Sequence, residues 1–219
     1  GVNLNWNGIV LGATGQINIH VSNGITDNAV TQNYVLDTSA PVAPALALAI
    51  DSGNGTSDGI SANAAITAPS NTESNAVLSY RIQAGSAEFS TWSGSYAAPT
   101  NDGSYTLQVR QTDLAGNVSD TQTLSFTLDA TLPNFTSATT VTAINENSGS
   151  DQVIYTAQAA DASALRYSLT SGSDAGLTID ARTGAVTLTD APDFETKANY
   201  AFTVAATDMA GNVGEQAHT

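Results

Sequence analysis

A seven-residue string occurs twice in this chain. Thr112-Asp113-Leu114-Ala115-Gly116-Asn117-Val118 returns 95 residues later as Thr207-Asp208-Met209-Ala210-Gly211-Asn212-Val213. A second string behaves the same way: Leu36-Asp37-Thr38-Ser39-Ala40-Pro41 returns 92 residues later as Leu128-Asp129-Ala130-Thr131-Leu132-Pro133. Repetition at a fixed period marks a series of like units, and a period of about 90–95 residues suits one β-sandwich domain. Each Leu-Asp…Pro string marks a junction, because proline prevents the preceding strand from continuing. The chain then divides into a fragment at 1–36, a full domain at 37–129 and a second domain at 130–219. The fragment holds two or three strands, too few for an independent core. It reads as the last strands of a preceding domain or as an N-terminal cap. In the first full domain the repeated string is followed by one more strand, 121–128. The second domain reaches Thr219 soon after its copy, so it is expected to lack its last strand, and the chain to be a piece of a longer array.

The local signal is β throughout. Apolar and polar residues alternate at 16–21 (QINIHV), 77–82 (VLSYRI), 105–110 (YTLQVR), 123–128 (TLSFTL), 153–157, 165–169, 185–188 and 200–205 (YAFTVA). Clusters of Gly, Asn, Asp, Ser and Pro separate these runs at the spacing of sandwich turns. No 12-residue window carries a capped helical stripe. The predicted class is all-β, with antiparallel sandwiches in an extended array.

Charge narrows the function. The 219 residues carry 20 acidic side chains against 5 Lys and Arg, a formal net charge of −15. Phosphate backbones need basic partners, so nucleic acid is excluded as a partner. No basic amphipathic stretch suits a membrane surface, and no apolar run approaches the roughly 18–20 residues of a membrane span. No membrane insertion of this segment is expected. With no Cys there is neither a disulfide nor a thiolate metal site. Fifteen of the acids are Asp and five are Glu. Asp favours loops and ligates hard cations, so the bias raises the question of what the aspartates hold.

The first full domain resembles the Ig-like repeats of giant RTX-type bacterial surface adhesins. The residues that carry the likeness are DTSAPVAPALAL (37–48), DSGNGTSDGIS (51–61), NDGSYTLQVRQTDLAGNVSD (101–120) and LSFTLD (124–129). Tyr105, after Asp102-Gly103-Ser104, resembles the tyrosine corner of Ig sandwiches. The second domain resembles a bacterial cadherin-like domain. Its Ala143-Ile144-Asn145-Glu146-Asn147 is similar to the family's opening xxExN. Its 165–169 (LRYSL), 177–186 (LTIDARTGAV), Asp193-Phe194-Glu195 and 200–208 (YAFTVAATD) follow the family's order.

The resemblance implies calcium at the domain junctions. Calcium takes six to eight oxygens, and carboxylates are its strongest protein ligands. Strand order would bring Asp129, Asp208, Asp51 and Asp161 to one junction, with Asp58 and Asp102 as further candidates. Asp208 matches the A-x-D ligand of the cadherin-like pattern, and Asp161 the first acid of its D-x-D. Ser163 replaces the second acid, and the linker lacks the D-x-N-D-N string, so fewer ions than in a cadherin linker are expected. Glu146, Asp193 and Glu195 match ligands serving a following linker. Upstream, Asp37 pairs with Asp113 by analogy, and Asp27 is a further candidate. The competing reading of any single loop Asp is a turn or cap residue accepting backbone N–H bonds. That reading is adopted for Asp120, Asp151, Asp174, Asp180 and Asp190. Converging carboxylates without a cation would repel one another, which favours calcium for the sets.

Catalysis is not expected. His20 and His218 stand near opposite ends of the chain, and no P-loop, GxGxxG, EF-hand spacing or GGxGxD repeat occurs. The resemblance therefore implies an extracellular, cell-surface spacer of a secreted bacterial adhesin. It would be stiffened by calcium, project a binding tip, support surface adhesion and biofilm formation, and have as partners the neighbouring domains of its own chain. An alternative is a module that binds a host or biofilm glycan or protein, for which Trp6, Trp92 and Tyr96 are the candidate aromatics, although Trp92 reads better as core or rim. A third is assembly by strand pairing between chains.

Overall fold

The computed structural model describes residues 12–22, 25–53, 55 and 57–219, with residue 21 through its backbone alone. Trp6 lies outside the described residues. No helix occurs among those described, and none is long and apolar enough to cross a membrane.

Strands β1 (Gly15–Ser22) and β2 (Asp27–Tyr34) form an antiparallel hairpin, with Ile19 opposite Val30 and Ser22 opposite Asp27. The open end of the hairpin is held where the Leu36 N–H donates to Thr14 Oγ1 at 3.0 Å. β2 is almost wholly exposed.

The first full domain holds β3 (Ile60–Ser61), β4 (Val77–Ala84), β5 (Gly103–Thr112) and β6 (Gln122–Leu128) in one sheet of order β3-β6-β5-β4. β3 runs parallel to β6; the other pairs are antiparallel. Two irregular segments, bridged at Ala45–Ser70 and Leu48–Ile66, bring Leu46, Leu48 and Ile66 against the sheet. The alternation read from the sequence is the alternation of burial. Along β5, Leu107, Val109 and Gln111 are fully buried while their neighbours are only half-buried. Tyr80, Leu107, Val109, Phe126, Leu128 and Ala64 make the core. Gln111, buried at its edge, is satisfied by local backbone. Its Nε2 donates to Val42 O (2.5 Å) and Asn71 O (3.0 Å), and its Oε1 accepts from Glu73 N (2.8 Å). A buried amide without those partners would cost about 1–3 kcal/mol. Tyr105 donates its hydroxyl to Asn101 O at 2.7 Å, closing the tyrosine corner.

The second domain holds β7 (Asn134–Phe135), β8 (Gln152–Thr156), β9 (Ala159–Ala160), β10 (Arg166–Leu169), β11 (Leu177–Ile179), β12 (Ala185–Leu188), β13 (Phe202–Thr207) and β14 (Val213–His218). Two three-stranded sheets, β11-β12-β8 and β10-β13-β14, enclose Tyr155, Ala157, Val186, Phe202 and Val204, and β7 pairs with β9. One expectation is corrected here. A strand does follow the second copy of the repeated string: β14 pairs along the whole of β13, from Phe202–His218 to Thr207–Val213. The turn at 208–212 leads straight into it, whereas in the first domain three residues separate Val118 from the full strand.

The two domains touch backbone to backbone. Ser52 Oγ donates to Ala210 O at 2.5 Å. Gly53 and Gly211 both have positive φ (95° and 87°), and a Cβ at Gly53 would come within 2.0 Å of Met209 O. Glycine is required at Gly53 for both reasons.

Candidate functional site

The repeated string builds the same device in both domains. In the first, the Asp113 carboxylate accepts two bonds from Asn117, at 2.8 Å from its backbone N and 2.8 Å from its Nδ2. The same Nδ2 donates to Asp37 O at 3.2 Å. In the second, Asn212 bonds Asp208 at 2.8 and 2.7 Å, and its Nδ2 reaches Asp129 O at 2.8 Å. Each Asp–Asn pair thus clamps the carbonyl of the junction aspartate that opens its domain. Asn117 and Asn212 were not singled out among the site residues from sequence. The signal that points to them is the repeat itself, which preserves Asp and Asn at a fixed four-residue separation.

At the second junction the clamp brings carboxylates together. Asp129, Asp161 and Asp208 each place an oxygen within 4.8 Å of the others. Asp129 and Asp208 are only 8% and 4% exposed. Asp161 Oδ1 accepts from Ser163 N (2.7 Å) and Ser163 Oγ (2.9 Å), while its Oδ2 is buried without a hydrogen-bond partner. Ser163, standing where the resemblance would put a second acid, also accepts from Met209 N at 3.2 Å. It therefore ties the Asp161 loop to the Asp208 turn with hydrogen bonds instead of a further ligand.

The electrostatics separate two neighbouring acids. Burial, then the charges of Asp208, Asp161 and Asp102, push the Asp129 carboxyl above its ordinary value, against one opposing bond from Thr131 N. Asp102 is held below its ordinary value by donors, first Ala130 N at 2.7 Å and then Thr131 Oγ1. Asp102 thus lies at this junction but is used to hold the linker.

The other candidates are distributed as follows. Asp51 accepts from Gly59 N at 3.3 Å, and its Oδ1 is buried without a partner. Asp58 accepts from Ile60 N at 3.0 Å. Their loop touches the second domain through Ser52 and Gly53, but neither carboxylate joins the trio. Asp37 accepts from Ser39 N at 3.0 Å and meets Asp113 only through Asn117. The structure moves Asp27 away from that junction: it sits at the turn of the hairpin, 3.5 Å from His20 Nδ1, at the opposite end from Leu36. Asp193 accepts from Thr196 N and Oγ1 (3.2 and 2.8 Å), which hold its carboxyl low. Glu146 and Glu195 line a cavity of about 600 Å³ that also includes Thr219. Among the described residues, Asp129, Asp161 and Asp208 make the sole group of three such ligands at metal-binding separation.

Two family models match parts of the chain. Residues 37–130 match the bacterial Ig-like domain family, and residues 140–219 match the cadherin domain family. Each match covers less than half of the chain and falls on one of the two domains described above. No curated protein sequence matches it. Similar solved structures include protocadherin gamma B2 extracellular cadherin domains 1–5 (14% identity, 94% of this chain and 45% of that one, TM-score 0.38). Others are protocadherin gammaB7 EC3–6 (17%, 93% and 55%, 0.38) and Drosophila N-cadherin EC1–4 (18%, 95% and 58%, 0.36). The chain spans about half the length of these structures.

Proposed function

We propose that this chain is a calcium-stiffened spacer of a bacterial cell-surface adhesin of the RTX type, located outside the cell and holding a binding region away from the surface. One observation carries the reading. Three carboxylates converge between two domains, none of them in an ion pair with a described Lys or Arg, and one of their oxygens is buried without a donor. Such a cluster repels itself unless a cation joins it. The donors are all hard oxygens, which suits Ca²⁺. Asp129, Asp161 and Asp208 would hold the ion, and water would complete its shell. Asp51, whose orphaned Oδ1 belongs to a loop against the second domain, is the further candidate from the first domain.

The functional gain is mechanical. Asp129 belongs to the linker, while Asp161 and Asp208 belong to the second domain. An ion shared among them resists bending of the linker. Extracellular modules bind Ca²⁺ at about 10⁻⁴–10⁻³ M, so millimolar ion would saturate or half-saturate the site. Linkage then predicts a stabilisation of about 0.4–1.4 kcal/mol over the chelated chain at about 1 mM ion. Calorimetric titration should give a Ca²⁺ isotherm that Asp129→Asn with Asp208→Asn abolishes, and EDTA should lower Tm by several degrees. A flat titration and unchanged melting with EDTA would overturn the reading. Glu146, Asp193 and Glu195 would serve a following linker in the same manner, and support for biofilm formation would follow from the spacer role.

A further inference from the structure

The outer face of the first domain's sheet differs chemically from the rest of the molecule. Strand alternation points Tyr80, Leu107, Val109 and Phe126 into the core. The opposite face presents Arg81 and Gln83 from β4, Gln108 and Arg110 from β5, and Thr123 and Ser125 from β6. β4, β5 and β6 themselves bring no carboxylate to this face, although the chain carries 20 acids; Asp58, from the loop before β3, borders it beside Ser104, Thr106, Ser125 and Thr127. Two of its five Lys and Arg residues are here. Arg81 lies opposite Gln108, and Arg110 opposite Ser79, so the arginines occupy a diagonal of one face.

The segment after β4 folds back along it through Ser93 N to Tyr80 O (2.8 Å) and Ser90 N to Ile82 O (2.8 Å). This brings two rings over the arginines. The Arg81 guanidinium is 4.7 Å from the Phe89 ring centre and 4.6 Å from that of Trp92, and Arg110 is 4.0 Å from Trp92. Stacking fixes a guanidinium plane while leaving its edge donors available. Arg81 Nε donates to Gln108 Oε1 at 2.7 Å, but Arg110 Nε is buried with no acceptor. Neither arginine pairs with a carboxylate; the ion pairs among the described residues are His20–Asp27 and Lys197–Asp174. In so acidic a chain, two stacked guanidiniums with no ion pair to a described carboxylate leave their charge for a carboxylate from outside.

We propose that this face binds a carboxylate-bearing polysaccharide, a uronate chain. Arg81 and Arg110 take carboxylates through charge-assisted bonds, and Gln83 Oε1 with the hydroxyls of Thr106, Thr123 and Ser125 takes sugar hydroxyls, while Gln108 is held between Arg81 Nε (2.7 Å) and Thr123 Oγ1 (3.3 Å) and the Gln83 Nε2 donates to Ala87 O (2.6 Å). The proposal commits to a sugar over an acidic peptide because the rest of the face offers amides and hydroxyls, which match hydroxyls, and no further cations for successive carboxylates. It does not rest on the cation site at the junction.

The test uses the whole chain in EDTA, so that calcium cannot bridge uronate to the protein's own carboxylates. Polygalacturonate is titrated alongside dextran and polyglutamate, and folding of each variant is checked by circular dichroism. The expected result is binding of polygalacturonate over both controls. Arg81→Gln or Arg110→Gln should weaken it about tenfold each, the scale of one lost charged hydrogen bond. Arg110→Lys should fall between, since it keeps charge but loses the planar fork. Absence of polygalacturonate binding overturns the proposal. So does equal binding of dextran or polyglutamate, or a folded glutamine variant that binds as tightly as the parent. If Arg110→Gln does not fold, Arg81→Gln carries the decision.

Discussion

Single residues carry the electrostatic contrast of the junction. Asp102 and Asp129 approach the same linker, yet their carboxyls move in opposite directions. Asp102 is given backbone and hydroxyl donors, which favour its charged form; Asp129 is buried beside like charges, which disfavour it. His218 shows the corresponding effect for a base. It lies 4.2 Å from the Tyr155 ring and 4.9 Å from that of Phe202, with Nε2 buried and unpartnered. Burial lowers its pKa below 6.5 against one opposing bond to Thr139 O. The unfolded chain therefore takes this proton first. The stability His218 contributes is present above pH 6.5 and is lost as pH falls from there toward the lower folded value. For Asp129 the sign reverses: its cost is present above its raised folded pKa and is relieved as pH falls through it. Thermal melts in EDTA between about pH 7 and about pH 5 should show a steeper loss of Tm in the parent than in His218→Phe. Equal slopes would remove the histidine from the account.

At the scale of elements, the repeated turn is a clamp, and its two copies have different surroundings. Asn212 makes two bonds to Asp208 and a 2.8 Å bond to a linker carbonyl; Asn117 makes the matching linker bond at 3.2 Å in an exposed setting. Gly211 packs against Gly53 of the other domain, while a Cβ at Gly116 would meet nothing within 4 Å. Each alanine variant loses a charged bond to its aspartate and should destabilise by about 1.5–3 kcal/mol, with Asn212→Ala the larger by about 1 kcal/mol for its shorter, part-buried linker bond. Denaturant midpoints would rank them, and equal losses would contradict the difference in surroundings.

For the whole molecule, the bending of the linker is the quantity that an ion would change. Solution scattering should give a longer maximum dimension with millimolar Ca²⁺ than with EDTA. Asp129→Asn with Asp208→Asn should behave as the chelated chain in both conditions. A variant that still lengthens with calcium would move the relevant ion away from this junction. The formal charge of −15 then describes the chain before ion binding, since each Ca²⁺ offsets two negative charges.

Sequence alone determined the all-β class, because period-two alternation at 77–82, 105–110 and 123–128 leaves no helical face to bury. It also put Asp129, Asp208, Asp51 and Asp161 forward together, Asp129 and Asp208 because their strings recur at the repeat period and Asp161 through the likeness to a cadherin-like domain. Tertiary structure decided which acids share space. Asp102, Asp51 and Asp58 stand in equally acidic loops, yet an N–H donor engages each of them, from the same loop for Asp51 and Asp58 and from the linker residue Ala130 for Asp102, and neither kind of contact is written in strand periodicity. It also supplied β14, the clamp role of Asn117 and Asn212, and the pairing of Trp92 with two arginines 11 and 18 residues away. Alternation tells which face a side chain takes; its partner across strands depends on register and on where an irregular segment folds back, and both are settled only when the chain packs.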